Sequence, residues 1–278
     1  MKSDFKKRSL ELHLKHKGKI SVESKVKVEN SDDLSLAYSP GVAEPCLHIK
    51  DNESDIYKYT SKGNMVAVIT DGSAVLGLGN IGASASLPVM EGKAILFKEF
   101  AGVDAFPICL KTQDTEEIIN IIKNISTSFG GINLEDISSP KCVTIERRLK
   151  EELDIPVFHD DQHGTAIVTA AGLLNALTLR GTELSDAKIV CLGAGSAAIA
   201  ILKLLSVLGA SKENIYVLDS KGVCHTDRDD LSIYKQEFAQ KTNKRTRQDA
   251  CQDADVFIGV SGANLMDGDS LMAMAANP

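Results

Sequence analysis

Several absences narrow this chain before any motif is read. No apolar run approaches the ~18 residues that a membrane-spanning helix requires, so no membrane span is expected. The first ten residues are charged and have no apolar core, so no secretory signal is expected either. The six cysteines, Cys46, Cys109, Cys142, Cys191, Cys224 and Cys251, form no C-x-x-C pair. Scattered thiols, some inside apolar runs such as Ile189-Val190-Cys191-Leu192, read as buried free cysteines in a reducing compartment. An excess of basic charge is also missing: the net charge is -7 and the pI about 5.4. That argues against broad nucleic-acid binding, which needs a basic face to neutralise phosphates. It leaves small anionic substrates open, because an acidic protein can still hold a local cationic pocket. Internal repeats and low-complexity tracts are absent too.

What remains is ordinary globular material. The 278 residues are 43% hydrophobic and 25% charged, enough for one large domain or two ordinary ones and too apolar for disorder. A cytoplasmic enzyme is the expectation.

Residues 1 to about 30 are Lys-rich and polar, and read as an arm or a helix followed by an extended segment. Met65-Val66-Ala67-Val68-Ile69 is a continuous apolar run bounded by Asn64 and by Asp71-Gly72, the signature of a buried strand. Residues 105–110 form a second such run. Residues 87–100 between them read as a helix with Pro88 in its first turn. Residues 115–129 form an amphipathic helix: Ile118, Ile121, Ile122 and Ile125 recur at helical spacing, Glu116 and Glu117 lie in the first turn, and Gly130-Gly131 ends it. A short strand at 132–134, a helix through 145–153 and a strand at 156–158 follow. The next helix carries Ile167, Ala171, Leu174 and Leu177 on one face, stops near Gly181 and marks the domain boundary. Beyond it, strands at 189–192, 215–218 and 256–260 alternate with helical segments, the last near 271–274. That alternation predicts a parallel, doubly wound α/β sheet, of which about three strands are present.

Two glycine loops compete for a dinucleotide. Gly77-Leu78-Gly79-Asn80-Ile81-Gly82 is a literal G-x-G-x-x-G; Gly193-Ala194-Gly195-Ser196-Ala197-Ala198 ends in Ala, which is small enough for helix–strand packing. A dinucleotide site needs a strand, a tight turn, and a helix whose N-terminus faces the pyrophosphate. It also needs a carboxylate about 20 residues on, at the end of the next strand. Only the second loop follows its strand directly, and Asp219 ends Ile215-Tyr216-Val217-Leu218. The carboxylate nearest the first loop, Asp104, precedes its strand and falls at the wrong end of the sheet. The first loop therefore reads as close backbone packing or a substrate contact. Asp219 favours NAD, since a carboxylate repels a 2'-phosphate, but Ser220 and Lys221 soften that preference and leave NAD or NADP open.

Glu135-Asp136 and Asp160-Asp161 each stand where an apolar strand meets a loop, where parallel sheets usually place reactive groups. Converging carboxylates without cysteine describe a hard-cation site for Mg2+ or Mn2+; separately, each pair is an ordinary loop or helix cap. His159 and His163 flank the second pair, but zinc lacks an evident third nitrogen or sulfur ligand. Lys93 lies in a largely apolar helical stretch, where desolvation lowers a lysine toward base duty unless it snorkels to water. Tyr38 precedes Ser39-Pro40-Gly41, a rigid turn, and reads on pattern alone as a core tyrosine.

These segments together resemble the malic enzyme family, in its short bacterial form, from about residue 30 onward. The resemblance rests on five stretches in the family's order: Leu36-Ala37-Tyr38-Ser39-Pro40-Gly41-Val42-Ala43, Val75-Leu76-Gly77-Leu78-Gly79-Asn80-Ile81-Gly82, Val89-Met90-Glu91-Gly92-Lys93, Phe129-Gly130-Gly131-Ile132-Asn133-Leu134-Glu135-Asp136-Ile137 and Val157-Phe158-His159-Asp160-Asp161-Gln162-His163-Gly164-Thr165-Ala166. It implies an N-terminal three-layer α/β/α domain of amino-acid-dehydrogenase type at residues 1–160. It also implies a Rossmann-type NAD(P)-binding domain at 161–278, incomplete at its C-terminus. By motif, Lys93 is the implied general base, Tyr38 the general acid and Asp160 a partner near the lysine. Glu135, Asp136 and Asp161 are the implied metal ligands, and residues 193–198 the cofactor loop. The implied reaction is oxidative decarboxylation of L-malate to pyruvate and CO2, with NAD or NADP reduced and Mg2+ or Mn2+ bound, in a homodimer or higher oligomer. Family members continue past this point with an Ala-Asn-Pro-type motif, and Asn277-Pro278 is read as lying just before it, so part of the substrate site is expected to be missing. Some members are fused to a phosphotransacetylase-like region. Malolactic or oxaloacetate-decarboxylating chemistry on the same fold stays open, as does a non-catalytic cofactor-binding module. A generic hydroxy-acid dehydrogenase would leave the carboxylate set without a role.

Overall fold

The computed structural model describes residues 2–75 and 77–278; Leu76, within the first glycine-loop stretch, lies outside them. The chain divides into two compact units, the first ending at Phe158 and the second running His159–Pro278.

The first unit opens with a helix, Lys2–His16, and an extended stretch, as the arm-like composition predicts. Its sheet has the order β2-β1-β3-β4, from β1 (Met65–Thr70), β2 (Asp104–Cys109), β3 (Gly131–Leu134) and β4 (Val157–His159). β1 runs parallel to both neighbours, with Val68 opposite Pro107 on one side and Asn133 on the other. A strand covered on both faces needs apolar side chains in unbroken sequence, and Ala67, Val68 and Ile69 are fully buried. Ala67 and Ile69 point into a cluster with Ile118, Ile119 and Ile122 of helix Thr115–Ile125 and Cys142, Ile145 and Leu149 of helix Lys141–Glu152. Alternate residues point to the other face, where helix Ala83–Ala101 packs along β1 and β2 and buries Met90 and Ala94.

Two helices differ from expectation here. Helix Ala83–Ala101 starts well before residue 87, so Pro88 lies in its interior rather than its first turn. Gly82, with φ 78°, makes the start, and nothing in the helical periodicity marks it. A proline there removes one helical donor, and the Ser86 hydroxyl supplies another nearby, donating to the Ala83 carbonyl at 2.6 Å. Helix Thr115–Ile125 is capped by the Asp114 side chain, which accepts from the Glu117 N–H at 2.9 Å. It then tightens into a 3-10 turn, Ser126–Ser128, leaving Phe129 extended.

In the second unit the sheet order is β7-β6-β5-β8, from β5 (Ile189–Leu192), β6 (Ile215–Asp219), β7 (Gly222–Val223) and β8 (Val256–Gly259). β5 is central and parallel to β6 and β8. The antiparallel β7, too short to leave a pattern in sequence, turns back on β6. Ile189 and Cys191 face one cluster with helices Asp160–Arg180 and Ser196–Val207. Val190 and Leu218 face another with Ala250 and Cys251, so the sheet is covered on both sides as a doubly wound fold requires. Helix Asp160–Arg180 buries Gln162, Ala166, Ala170 and Leu177. Ile167 is 55% exposed and Leu174 38%, and Ala171 is exposed, so the predicted face is turned away from the cluster. Apolar residues surround most of this helix, and the short side chains of Ala166 and Ala170, not the bulkier ones, meet helix Ser196–Val207. No described helix is long and apolar enough to cross a membrane.

Candidate functional site

In the first unit the reactive groups gather where β1 and β3 end. Glu135 directly follows β3, and its N–H donates to the Ile69 carbonyl at 2.9 Å, which extends the ladder by one residue. Its side chain is 8% exposed. Oε2 accepts from Asn133 Nδ2 at 2.9 Å, and Oε1 lies 3.2 Å from Lys93 Nζ. Lys93 reaches it from helix Ala83–Ala101 and is itself only 19% exposed, so the lysine does not snorkel to water. Asp136, the next residue, is buried and adopts φ 54°.

A loop after β1 braces this corner. Asp71 is buried, and its Oδ1 accepts from the Ser73 hydroxyl at 2.6 Å and the Ser73 N–H at 3.0 Å. Lys141 pairs with its other oxygen. Ser73 Oγ in turn accepts from the Ser138 N–H at 2.9 Å, and the Ala74 N–H donates to the Asp136 carbonyl at 3.0 Å. The literal G-x-G-x-x-G belongs to this corner. Ile81 and Gly82 both donate to the Gly72 carbonyl at 3.1 Å, and a Cβ on Gly72 would lie 2.3 Å from the Gly82 oxygen. The loop is therefore close backbone packing that delivers the helix bearing Lys93. Asp104 opens β2 at the opposite end of the sheet, where Lys98 holds its carboxyl below the usual range.

Tyr38 is 69% exposed at the end of helix Ser31–Ala37. The core-tyrosine reading is thus excluded: its chain neighbours are a turn, and no buried layer covers the ring.

The second unit begins with His159, fully buried, and with Asp160 and Asp161 in the first turn of helix Asp160–Arg180. His159 Nε2 lies 4.0 Å from Asp161 Oδ2. Gly164 gives the Asp160 carboxylate its place, since a Cβ there would meet Asp160 Oδ1 at 2.5 Å.

Farther along this unit, β5 runs straight into Gly193, whose N–H donates to the Leu218 carbonyl at 2.9 Å. Gly193 has φ 128°, and a Cβ would press on Val260 at 3.2 Å. Ala194 follows, Gly195 caps the helix that starts with Ser196 and Ala197, and a Cβ on Gly195 would meet nothing within 4 Å. That open side, beside a helix N-terminus, leaves room for an anion to approach the backbone donors. Ala198, at the third glycine position, is buried in the cluster with Ile189 and Val217, so a small residue is required there for packing. Asp219 ends β6 and is held by Arg228 and Lys235. Burial pulls its carboxyl up, but hydrogen bonds from Arg228, Lys235 and the Lys221 N–H outweigh that and bring it to about 2.

Sequence reading missed Asp71, Ser73 and Lys141, and also Arg228 and Lys235. Each acts across a loop on a residue distant in sequence, and no spacing rule signals such a partner.

With both sites described, the comparisons follow. The family model "Malic enzyme, N-terminal domain" matches residues 16–150, and "Malic enzyme, NAD binding domain" matches residues 162–276. The chain is 54% identical over 279 residues to the bifunctional malic/malolactic enzyme of Bacillus subtilis, covering 99% of this chain and 68% of that protein. It is 56% identical over 261 residues to the NADP-dependent malic enzyme of Halomonas elongata, covering 94% and 62%. The solved structure of the NAD-dependent malic enzyme from Thermotoga maritima superposes with a TM-score of 0.93 at 45% identity, covering 97% of this chain and 72% of that one. The chain thus spans roughly two thirds of each of these relatives.

Proposed function

The chain belongs to the malic enzyme family, and from that premise we propose that the protein oxidatively decarboxylates L-malate to pyruvate and CO2. The observation that carries this reading is the buried Lys93–Glu135 pair, 3.2 Å apart beside Asp136 at the ends of two adjacent strands. A lysine so placed has a carboxylate to fix its aim and little bulk water to compete for its proton.

Lys93 takes the proton of the substrate's C2 hydroxyl as C2 is oxidised to the ketone. A nicotinamide cofactor, NAD or NADP, accepts the hydride. Residues 193–198 hold its pyrophosphate, and Asp219 lies where its ribose is read. The β-keto acid so formed loses CO2, and Tyr38 returns a proton to C3. Glu135, Asp136 and Asp161 supply the all-oxygen donor set that suits Mg2+ or Mn2+. When bound, such an ion acts as a Lewis acid on the substrate oxygens. Asp160 positions the lysine. In this division, residues 1–160 carry the substrate chemistry and 161–278 the cofactor. The six cysteines are all free, which supports the cytoplasm as the compartment. The working form is a homodimer or higher oligomer.

The test is absorbance at 340 nm with L-malate, Mn2+ and NAD+ or NADP+, followed by a pyruvate assay. Cofactor reduction matched by pyruvate and abolished by EDTA is expected, with Lys93→Ala lower by about 10²–10⁴-fold, the usual range for a lost general base. A second reading has specific support, since the Bacillus subtilis relative is named a malic/malolactic enzyme. Malate consumed with lactate formed and no net change at 340 nm would establish that reading. Cofactor binding without any turnover would mark this chain as a non-catalytic module.

A further inference from the structure

In a dinucleotide fold the carboxylate that ends the second strand usually accepts from the adenosine ribose hydroxyls. In this chain that carboxylate is already saturated. Asp219 Oδ1 accepts from Arg228 Nη1 at 2.9 Å and from the Lys221 N–H at 2.9 Å. Oδ2 accepts from Arg228 Nη2 at 3.0 Å and from Lys235 Nζ at 2.8 Å. A carboxylate offers about four lone-pair sites, and all four are engaged, so a ribose 2'-hydroxyl finds no open acceptor.

The arrangement is fixed from both sides. The Arg228 side chain is only 10% exposed, and Asp230 holds its far edge, Nε to Oδ1 at 2.9 Å and Nη2 to Oδ2 at 3.0 Å. An arginine fork bonded on two edges does not swing away to free Asp219. Lys221 is different: its side chain is 68% exposed, and its single ion pair, to Asp230 at 2.7 Å, lies at the surface. Surface pairs of this kind contribute little, so the ammonium is available to another anion. Three cations, Lys221, Arg228 and Lys235, face two carboxylates, Asp219 and Asp230, and the end of β6 therefore carries net positive charge.

We propose that this cluster selects a dinucleotide carrying a 2'-phosphate, with Arg228 and Lys235 cancelling the repulsion of Asp219 and Lys221 meeting the phosphate. The proposal rests on residues 193–198 binding a dinucleotide. It reverses what a carboxylate at this position suggests by itself. An ion cluster serving only to pin residues 224–235 onto β6 would leave the two cofactors equal.

The experiment is isothermal titration of the whole protein with NADP+ and with NAD+, without malate, so that no turnover is needed. NADP+ is expected to bind tenfold or more tightly, because a charge-assisted hydrogen bond contributes about 1.5–3 kcal/mol. Lys221→Ala should weaken NADP+ about tenfold and leave NAD+ nearly unchanged. Its melting temperature checks that the fold is intact, which the exposure of Lys221 favours. Lys235→Met, which frees one oxygen of Asp219, should shift preference toward NAD+. Equal binding of the two cofactors, or NADP+ affinity indifferent to Lys221→Ala, overturns the proposal and leaves the dinucleotide site standing. Binding of neither removes the premise and the proposal together.

Discussion

The backbone N–H of Ala74 donates to the carbonyl of Asp136 at 3.0 Å, and the residue it holds has a left-handed backbone at φ 54°. That conformation costs an ordinary L-residue about 1–2 kcal/mol and is tolerated best by glycine, asparagine and aspartate. It turns the chain sharply after β3, so Glu135 and Asp136 present two carboxylates from consecutive residues at one corner. The loop that supplies Ala74 is itself anchored by Asp71 through Ser73. Backbone geometry and carboxylate chemistry therefore meet in one residue and can be separated by substitution. Asp136→Gly and Asp136→Ala both remove the carboxylate and should weaken Mn2+ binding alike, read by electron paramagnetic resonance. Only Asp136→Ala should also lose about 1–2 kcal/mol of stability relative to Asp136→Gly in urea unfolding. Equal stability of the two would show that the turn is not strained.

Gly72 tests the glycine loop in the same way. Its φ is 68°, and a Cβ would stand 2.3 Å from the Gly82 oxygen, a backbone atom that cannot rotate away. Gly72→Ala should therefore cost several kcal/mol, on the order of 2–4, and reduce the yield of folded protein. Gly77→Ala, where a Cβ meets nothing within 4 Å, should cost only its backbone term, on the order of 1 kcal/mol. Circular dichroism melts of the two variants decide it. If both lose the same stability, the Gly72–Gly82 approach is not what closes the loop.

These contrasts show what was legible in the sequence. Strands buried on both faces declared themselves as unbroken apolar runs, as Met65–Thr70 did, and helix Thr115–Ile125 through its isoleucine spacing. The second glycine loop was readable because strand, turn, helix and distant carboxylate must all agree. Helix Asp160–Arg180 was misjudged because periodicity cannot choose between two apolar faces, and close packing chose the one with small residues. Candidate carboxylates could be found as adjacent pairs after strands. Their braces could not, because Lys141 reaching Asp71 and Arg228 reaching Asp219 depend on tertiary proximity alone.

The thiols report burial in solution. Burial pushes Cys191 up to about 12 and Cys224 to about 11, and raises Cys109 and Cys251 as well. Reaction requires the thiolate, which at pH 8 leaves roughly one in ten thousand Cys191 side chains competent. Cys46 is exposed. Titration of the native protein with a disulfide reagent at pH 8 should therefore show one fast thiol, lost in Cys46→Ser, with the rest appearing on unfolding. A fast phase that survives Cys46→Ser would mean that a core cysteine opens to solvent.

Acid should expose the clamp on Asp219. Its carboxyl sits at about 2 in the folded protein, against an ordinary value near 3.8 when unfolded. The unfolded chain therefore binds the extra proton first as pH falls, and protonation favours unfolding. The clamp's contribution is fully present above about pH 4, declines as pH drops toward 2, and is gone below it. The difference corresponds to something on the order of 2 kcal/mol, for a side chain only 9% exposed. Other carboxylates titrate in the same range, so the wild type alone cannot isolate the effect. Asp219→Asn removes the titrating group and leaves the others in place. Urea midpoints of both proteins at pH 7, 4, 3 and 2 should show the wild type more stable at pH 7 and its advantage shrinking only below pH 4. An advantage that stays constant to pH 2 would mean that Arg228 and Lys235 hold the neutral acid as well as the carboxylate, and charge would then not be what binds them.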